Sequence, residues 1–219
     1  MRALEVNGVK IEWLGHASFR ITGREVVIYT DPYILDEDPA KADVVLVSHD
    51  HFDHKDDENI AKISKSDTVV VGPESVTKDY KNSVTVKPGD EVEVKGVKIK
   101  AVPAYNPAKP FHPKEKGYVG FVFVVNGVKI YHAGDTEFIP EMEGLVSECV
   151  DVALLPIGGT YVMDEEQAAK AANTIKPKYA VPMHYGRWRD INLEASVEKF
   201  RSMVSEEVEV IELEPVGKG

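Results

Sequence analysis

Residues 43–54 read DVVLVSHDHFDH and decide the fold, because an apolar run passes directly into a cluster of histidines and aspartates. A continuous apolar run of this length is typical of a central strand covered on both faces. In an extended segment His49 and His51 point to the same side, so their imidazoles can hold one metal ion. Asp53 and His54 follow on the turn, where they can hold a second ion nearby. The strand therefore predicts a metal site in the crevice at its C-terminal end.

The composition limits the class of protein. The chain has 219 residues, 43 % of them hydrophobic, which favours a single domain over residues 1–219 with a sizeable core. Its net charge of −11 argues against a broad nucleic-acid-binding surface. Cys149 is the only cysteine, which excludes an intramolecular disulfide and a thiolate zinc cluster. Any metal must therefore be held by histidines and carboxylates.

Location and source are also indicated by the sequence. No segment is long and apolar enough to span a bilayer, and the N-terminus lacks a signal-peptide pattern. We therefore expect a cytoplasmic protein with no membrane partner. The chain contains 20 Lys and 22 Glu but a single Gln, a bias that favours a thermophilic source.

Three similar turns predict β-hairpins. Asn7-Gly8, Lys95-Gly96 and Asn126-Gly127 each lie between β-branched runs, and each is followed by Val-Lys-Ile. Such turns favour hairpins because both central residues must adopt positive φ. The recurrence indicates either a duplicated β unit or the repeated use of a favourable turn.

Other strands and a few helices complete the predicted architecture. Further buried strands are predicted over 68–71, 119–125 and 152–156. Helices are predicted over 57–65, over 164–175 with Asp164 as N-cap, and over 193–204. Strands interleaved with few helices favour two packed sheets with the helices outside.

The HDHFDH motif resembles the metallo-β-lactamase superfamily when it is taken with Asp31 in YTDPY, Asp135 in YHAGDT and His184 in PMHYG. LGHASF, TDPY, LLPIGG and PMHYG are similar to the branch that includes L-ascorbate-6-phosphate lactonase and many metal-dependent hydrolases. The resemblance implies an α/β fold, an αββα four-layer sandwich of two mixed β-sheets flanked by helices. It also implies a dinuclear metal site at one edge.

The resemblance implies a role for each residue of this site. His112 is the only histidine between the main motif and Asp135, and is taken as the third ligand of the first ion. Asp31 is implied to orient the histidines from behind. His16 either orients substrate, donates from an outer shell or is a core histidine, and His132 is interpreted as structural. The implied ligands are His49, His51 and His112 for the first ion, Asp53, His54 and His184 for the second, and Asp135 as the bridge.

The resemblance also implies hydrolysis by a metal-bound hydroxide, with Asp53 and Asp135 as catalytic carboxylates. Two divalent ions are expected per chain, with zinc the first choice and Mn²⁺ or Fe²⁺ the alternatives. Tyr161 is a candidate substrate contact, with ordinary packing as its other interpretation.

The expected substrate is a small anionic ester, lactone or phosphodiester. Lys109, Lys114 and Lys116 surround His112, and Arg187 and Arg189 follow His184, so these cations are candidates to bind an anion. A solvated loop is the other interpretation of the same residues.

Other activities of the superfamily are weighed against this pattern. Diiron flavoproteins carry Glu where His51 stands, secreted β-lactamases commonly lack one of these histidines, and RNA-cleaving members need a long inserted domain. Two alternative functions stay open: a glyoxalase-II-like thioesterase, and a non-catalytic, metal-stabilised binding protein of the same fold. Assembly of the chain into a homo-oligomer also stays open.

Overall fold

Two seven-stranded β-sheets form the core of the structure, a computed structural model that describes residues 1–189 and 191–217. The strands of the first sheet lie in chain order: β1 Leu4–Val6, β2 Val9–Gly15, β3 Ser18–Thr22, β4 Val27–Thr30, β5 Val44–Leu46, β6 Val69–Gly72 and β7 Ser83–Thr85. The second sheet is built from β8 Glu91–Val94, β9 Val97–Pro103, β10 Val119–Val125, β11 Val128–His132, β12 Val152–Pro156, β13 Tyr179–Met183 and β16 Glu209–Val210. Its order is β16-β13-β12-β11-β10-β9-β8, and β14 Gly186–Trp188 with β15 Ile191–Leu193 forms a separate hairpin.

The two sheets repeat one topology. In the first, β1 to β4 are antiparallel neighbours, and β5, β6 and β7 then add in parallel. In the second, β8 to β11 are antiparallel neighbours, and β12, β13 and β16 add in parallel. This equivalence is what a duplicated β unit would produce.

The three predicted hairpin turns are confirmed. Asn7-Gly8 joins β1 to β2, Lys95-Gly96 joins β8 to β9, and Asn126-Gly127 joins β10 to β11. All six residues have φ between 48° and 79°, the left-handed conformation that these turns require. Local turn chemistry therefore fixes the register of three strand pairs.

Short helices flank the sheets: α1 Asp57–Ile63, α2 Glu74–Thr77, α3 Glu165–Ile175 and α4 Val197–Met203, with 3₁₀ helices at Lys114–Lys116 and Pro140–Glu148. The α3 prediction is confirmed, because the Asp164 side chain caps the helix by accepting from the N–H of Gln167 at 2.8 Å. The predicted class, an α/β sandwich of two mixed sheets with flanking helices, is confirmed as well.

The predicted helix over 193–204 is wrong in its first turn. Leu193 ends strand β15, and α4 begins only at Val197. The Ser196 side chain sets this start, because it accepts a hydrogen bond from the N–H of Lys199 at 3.1 Å. The apolar residue at 193 belongs to the hairpin and not to the helix face.

The central strands position the residues of the site. All residues of β5 and β12 are buried, and the apolar side chains of both sheets form one continuous core. The polar segments that follow β2, β4, β5, β11 and β13 contain nearly all the predicted site residues. The site therefore lies at the C-terminal ends of strands from both sheets.

Candidate metal centre

Asp31 holds the histidine-rich turn that follows β5. It lies directly after β4 at φ 41°, and it is fully buried. Its carboxylate accepts hydrogen bonds from the N–H of Ser48 at 2.7 Å, from the Ser48 hydroxyl at 2.7 Å and from Nδ1 of His54 at 2.8 Å. Burial acts to raise the pKa of Asp31, but His54, His132 and the N–H of Ser48 together outweigh burial and hold the pKa below its ordinary value. The structure thus places Asp31 behind His54, where the resemblance implies it.

Three histidines form a first group of potential ligands. One ring nitrogen of each of His49, His51 and His112 lies within 4.8 Å of the others. Nε2 of His112 is 3.2 Å from Nδ1 of His51. Burial lowers the pKa of His112 to about 4 and holds that of His49 well below its ordinary value. Both rings are therefore neutral at pH 7, and each has an unprotonated nitrogen for an ion.

The loop that carries His112 is fixed by hydrogen bonds. The N–H of Asn106 donates to the carbonyl of His112 at 2.8 Å, and its side-chain Nδ2 donates to the carbonyl of Tyr161 at 2.7 Å. The N–H of Ala108 donates to the Glu137 carboxylate at 2.7 Å. The loop is thereby attached to the segments that follow β11 and β12, which places His112 beside the main motif.

A second group contains Asp53, His54 and His184, together with His16. These four side chains each offer a ligand atom within 4.8 Å of the others. Nε2 of His16 lies 3.0 Å from Oδ2 of Asp53, and the N–H of His184 donates to the carbonyl of His16 at 2.9 Å. Burial lowers the pKa of His16 to about 4, so its ring is neutral and can donate to the carboxylate. His16 thus contacts one of the candidate ligands directly, as an outer-shell donor would.

Asp135 lies between the two groups. Its Oδ2 is 3.3 Å from Nε2 of His112, a member of the first group. The same oxygen is 3.1 Å from Nε2 of His184, and Oδ1 is 3.2 Å from Nε2 of His54, both in the second group. A carboxylate in this position would help to hold an ion in either group.

Gly158 allows the close approach that positions His184. His184 follows β13 at φ 58°, and a Cβ at Gly158 would lie only 2.2 Å from the His184 carbonyl oxygen. A side chain at residue 158 would therefore displace the backbone that carries His184. This contact explains the first glycine of LLPIGG.

The residues present fit a metal ion. Nε2 of His49, Nε2 of His54, Nε2 of His184 and Oδ1 of Asp135 are buried and have no hydrogen-bond partner. A buried polar atom without a partner costs about 1–3 kcal/mol, so four of them in one place call for a ligand that satisfies all four. Imidazole and carboxylate donors are the ligands that Zn²⁺, Mn²⁺ and Fe²⁺ accept.

His132 has a different role. Its Nε2 donates to the carbonyl of Ala17 at 2.9 Å, and its Nδ1 accepts from the N–H of Gly134 at 3.2 Å. Both ring nitrogens are taken by the backbone, which accords with the structural role interpreted from the sequence.

A cavity of about 810 Å³ opens onto the centre. Ligand candidates His51, Asp53, His112 and Asp135 line it together with Tyr161. The remaining lining residues are Asp50, Phe52, Phe111, Thr160, Ile191, Asn192 and Leu193. The volume is that of a small-molecule site, and Tyr161, the candidate substrate contact, is one of its lining residues.

The cations near the ligands do not form the expected basic mouth. Nζ of Lys109 donates to the carbonyls of Gly159 and Val162. Lys114 pairs with Glu141 at 2.7 Å, and Lys116 lines a different surface cavity.

The two arginines are placed similarly. Nη1 of Arg189 contacts Asp56 at 2.8 Å, and its guanidinium lies over the ring of Tyr33. Arg187 is exposed on β14. Among the described residues that line the cavity there is no Lys or Arg. Proximity in the sequence thus did not bring these side chains to the site.

Several residues of the site were missed from the sequence. Phe52 lies inside the HDHFDH motif and Phe111 directly precedes His112, so their adjacency to ligands was an available signal. Asn106 and the β14–β15 hairpin gave no such signal, because only tertiary packing brings them to the centre.

Comparison with known proteins agrees with this geometry. Residues 10–184 match the family described as the beta-lactamase superfamily domain. A metal-dependent hydrolase of Thermococcus onnurineus is 37 % identical over 227 residues, which covers 94 % of this chain and 97 % of the relative.

Two solved structures are also similar. A Parabacteroides distasonis protein classed with the metal-dependent hydrolases has a TM-score of 0.82 and 30 % identity, and the match covers 97 % of each chain. A metallo hydrolase of the hyperthermophilic archaeon Ignicoccus hospitalis has a TM-score of 0.77 and 27 % identity over 96 % of each chain.

Among the described residues no helix has the length and apolar character needed to cross a membrane.

Proposed function

This chain belongs to the beta-lactamase superfamily and is a metal-dependent hydrolase, and we propose that it uses two divalent ions to hydrolyse small esters, lactones or phosphodiesters. The observation that carries the proposal is the position of Asp135. It contacts His112 of one histidine group and both His54 and His184 of the other, at 3.1–3.3 Å. Two separate groups joined by one carboxylate are what a pair of ions needs.

We assign the ligands accordingly. Bound ions supply Lewis-acid activation of a water and of the scissile carbonyl or phosphoryl group. Zinc is the metal that we propose, since neutral imidazoles and carboxylates suit it. The first ion would be held by His49, His51 and His112, the second by Asp53, His54 and His184, and Asp135 would join them.

The protein's own groups then have distinct tasks. Asp31 keeps the His54 ring in one orientation, so that Nε2 faces the centre. Of the two ligand carboxylates that line the cavity, Asp53 is the more exposed, with 16 % of its side chain accessible against 3 % for Asp135. Burial acts to raise the pKa of Asp53, but His54 and His16 together outweigh burial and hold the pKa well below its ordinary value, so the carboxylate is ionised at pH 7. We propose that this carboxylate accepts the proton released when water attacks the substrate.

The positions of the lysines and arginines give little support to an anionic substrate. The cations expected at the mouth are engaged elsewhere or exposed, so an anionic group would depend on the ions themselves for attraction. An anionic substrate stays a prediction of the sequence, as do a cytoplasmic location and a thermophilic source.

Metal analysis with a substrate panel tests the proposal. Protein stripped with chelator and reloaded with Zn²⁺ should hold two ions per chain and should hydrolyse at least one member of a lactone, thioester and phosphodiester panel. Asp135→Asn should lower kcat/KM by about 100-fold or more, because it weakens the link to both ions. Asp67→Asn, a substitution of an exposed carboxylate that contacts Lys95, is the matched control.

Each outcome has a defined meaning. One ion per chain at saturating zinc, or full turnover in Asp135→Asn, would overturn the dinuclear assignment. Hydrolysis of the thioester alone would favour the glyoxalase-II-like alternative. Two bound ions without hydrolysis of any member would favour a non-catalytic binding protein.

A further inference from the structure

We propose that the cavity beside the metal centre binds an uncharged apolar group of the substrate, such as a medium-length acyl chain or an aryl ring. The inference rests on the proposed function, because it assigns the non-reacting part of the molecule that is hydrolysed. It departs from the small anionic substrate that the sequence suggested.

One wall of the cavity is aromatic and accessible. Phe52, Phe111 and Tyr161 are exposed to 65 %, 43 % and 39 %, although such side chains are usually buried. The rings of Phe111 and Tyr161 meet edge to face, with 4.7 Å between centroids. Phe52 and Phe111 each adjoin a proposed ligand in the chain, so an apolar group held here would lie next to the reacting bond.

The β14–β15 hairpin also lines the cavity, to which it contributes Ile191 and Leu193. Trp188 fixes this hairpin on the first sheet, because its ring packs against Gly15 so closely that a Cβ there would lie 2.4 Å from it. The Trp188 indole also donates to the carbonyl of Tyr185 at 2.6 Å and packs edge-on against Trp13, with 5.4 Å between centroids. The hairpin is therefore anchored by a buried aromatic cluster and gives the cavity a defined shape.

Charge favours an uncharged occupant. The described lining residues include the carboxylates Asp50, Asp53 and Asp135 but no Lys or Arg. Two of the three carboxylates belong to the metal centre, and the third, Asp50, is hydrogen-bonded to Tyr118 and Ser75. An anion there would find no cationic side chain among the described lining residues, whereas an apolar group would bury its surface against the rings.

The volume indicates more than a minimal ester. At about 810 Å³ the cavity lies in the upper part of the range for small-molecule sites. An acetyl or formyl group would leave most of it unfilled. A chain of several carbons or an aryl ring would reach Phe111 and Tyr161.

The test compares three methyl esters on zinc-loaded protein, with acid release followed by pH-stat titration: acetyl, hexanoyl and hemisuccinyl. Because each buried methylene contributes to transition-state binding, we expect kcat/KM to be about 10-fold or more higher for hexanoyl than for acetyl. The hemisuccinyl ester, of similar length but anionic, should fall below hexanoyl by a similar factor. Phe111→Ala should lower kcat/KM for the hexanoyl ester at least about fivefold more than for the acetyl ester. Val146→Ala removes an exposed apolar side chain elsewhere and should change none of the three rates.

A binding measurement separates this inference from the proposed function. Titration calorimetry with 4-phenylbutanamide, a neutral amide, should show binding that weakens about 10-fold in Phe111→Ala. If neither these esters nor any member of the lactone, thioester and phosphodiester panel is hydrolysed but the amide binds in this way, the proposed function fails and the apolar site stands. If esters are hydrolysed at equal rates, or the hemisuccinyl ester is preferred, the apolar site is overturned and the hydrolase stands. Absence of amide binding also overturns the apolar site.

Discussion

The carboxylate of Asp31 lies 2.8 Å from Nδ1 of His54, and both side chains are fully buried. The hydrogen bond keeps a proton on Nδ1 of His54 and turns Nε2 toward Asp135, so that any proton displaced by an ion comes from Nε2. A histidine ring that is already oriented by such a hydrogen bond loses less conformational freedom when it binds an ion.

Asp31→Asn should lower zinc affinity by about 10–100-fold, because the amide is a weaker acceptor and leaves the His54 ring less firmly oriented. Competition with a fluorescent zinc chelator measures the loss. Asp67→Asn is the control for the loss of one negative charge at an exposed position. Equal zinc affinity in Asp31→Asn and the unmodified protein would show that Asp31 does not orient the centre.

Zinc binding should release a proton from His54. Burial acts to lower the pKa of this histidine, but Asp135, Asp53 and Asp31 raise it well above its ordinary value, so the ring is protonated at pH 7 without an ion. An ion at Nε2 must displace that proton. Zinc affinity should therefore rise with pH, by up to about tenfold per pH unit, until the pH exceeds the raised pKa.

Titration calorimetry in two buffers of different ionisation enthalpy detects the released proton. The apparent binding enthalpies measured in the two buffers should differ by about the difference between the buffers' ionisation enthalpies, which corresponds to the release of one proton. Identical enthalpies would mean that His54 is neutral before the ion binds.

His16 should act as a positioning residue for Asp53. His16→Asn removes the contact between Nε2 and Asp53 while tolerating the φ of 53° at this position, and should lower kcat/KM by about 10-fold or more. His16→Gln extends an amide N–H toward Asp53 and should restore part of the loss. Steady-state kinetics on a hydrolysed ester, with circular dichroism as a check of folding, decides the matter. Equal losses in both variants would reduce His16 to a residue of the core.

Removal of the ions should lower thermal stability. A site filled at 100 times its dissociation constant contributes about 2.7 kcal/mol, and in a chain of this size each kcal/mol shifts Tm by about 2–4 °C. A chelator should therefore lower Tm by about 5–10 °C, and added zinc should restore it. Differential scanning calorimetry measures the shift, and an unchanged Tm would contradict a site that is filled in the folded protein.

Contiguous residues made half of the site predictable. HDHFDH follows a strand whose apolar run is evident, so His49, His51, Asp53 and His54 needed no tertiary information to be grouped. His112, Asp135 and His184 are far apart in the chain, and only the resemblance to a family connected them.

The failures share one physical cause. Leu193 has the spacing of a helical residue, but pairing with Gly186 and a cap at Ser196 place it in a strand. Lys109 is near His112 in sequence, yet its ammonium finds the carbonyls of Gly159 and Val162. In each case a tertiary partner determined the outcome, and periodicity or proximity in the chain carried no information about that partner.

The proposed ligands come from both of the equivalent sheets: His49 to His54 follow β5 of the first, whereas His112, Asp135 and His184 follow strands of the second. Neither half of the chain alone contains all the proposed ligands of the first ion or of the second. Bound ions would therefore cross-link the two halves, and metal affinity would depend on how those halves are aligned. A substitution deep in the core that shifts one sheet against the other would weaken metal binding without touching a ligand.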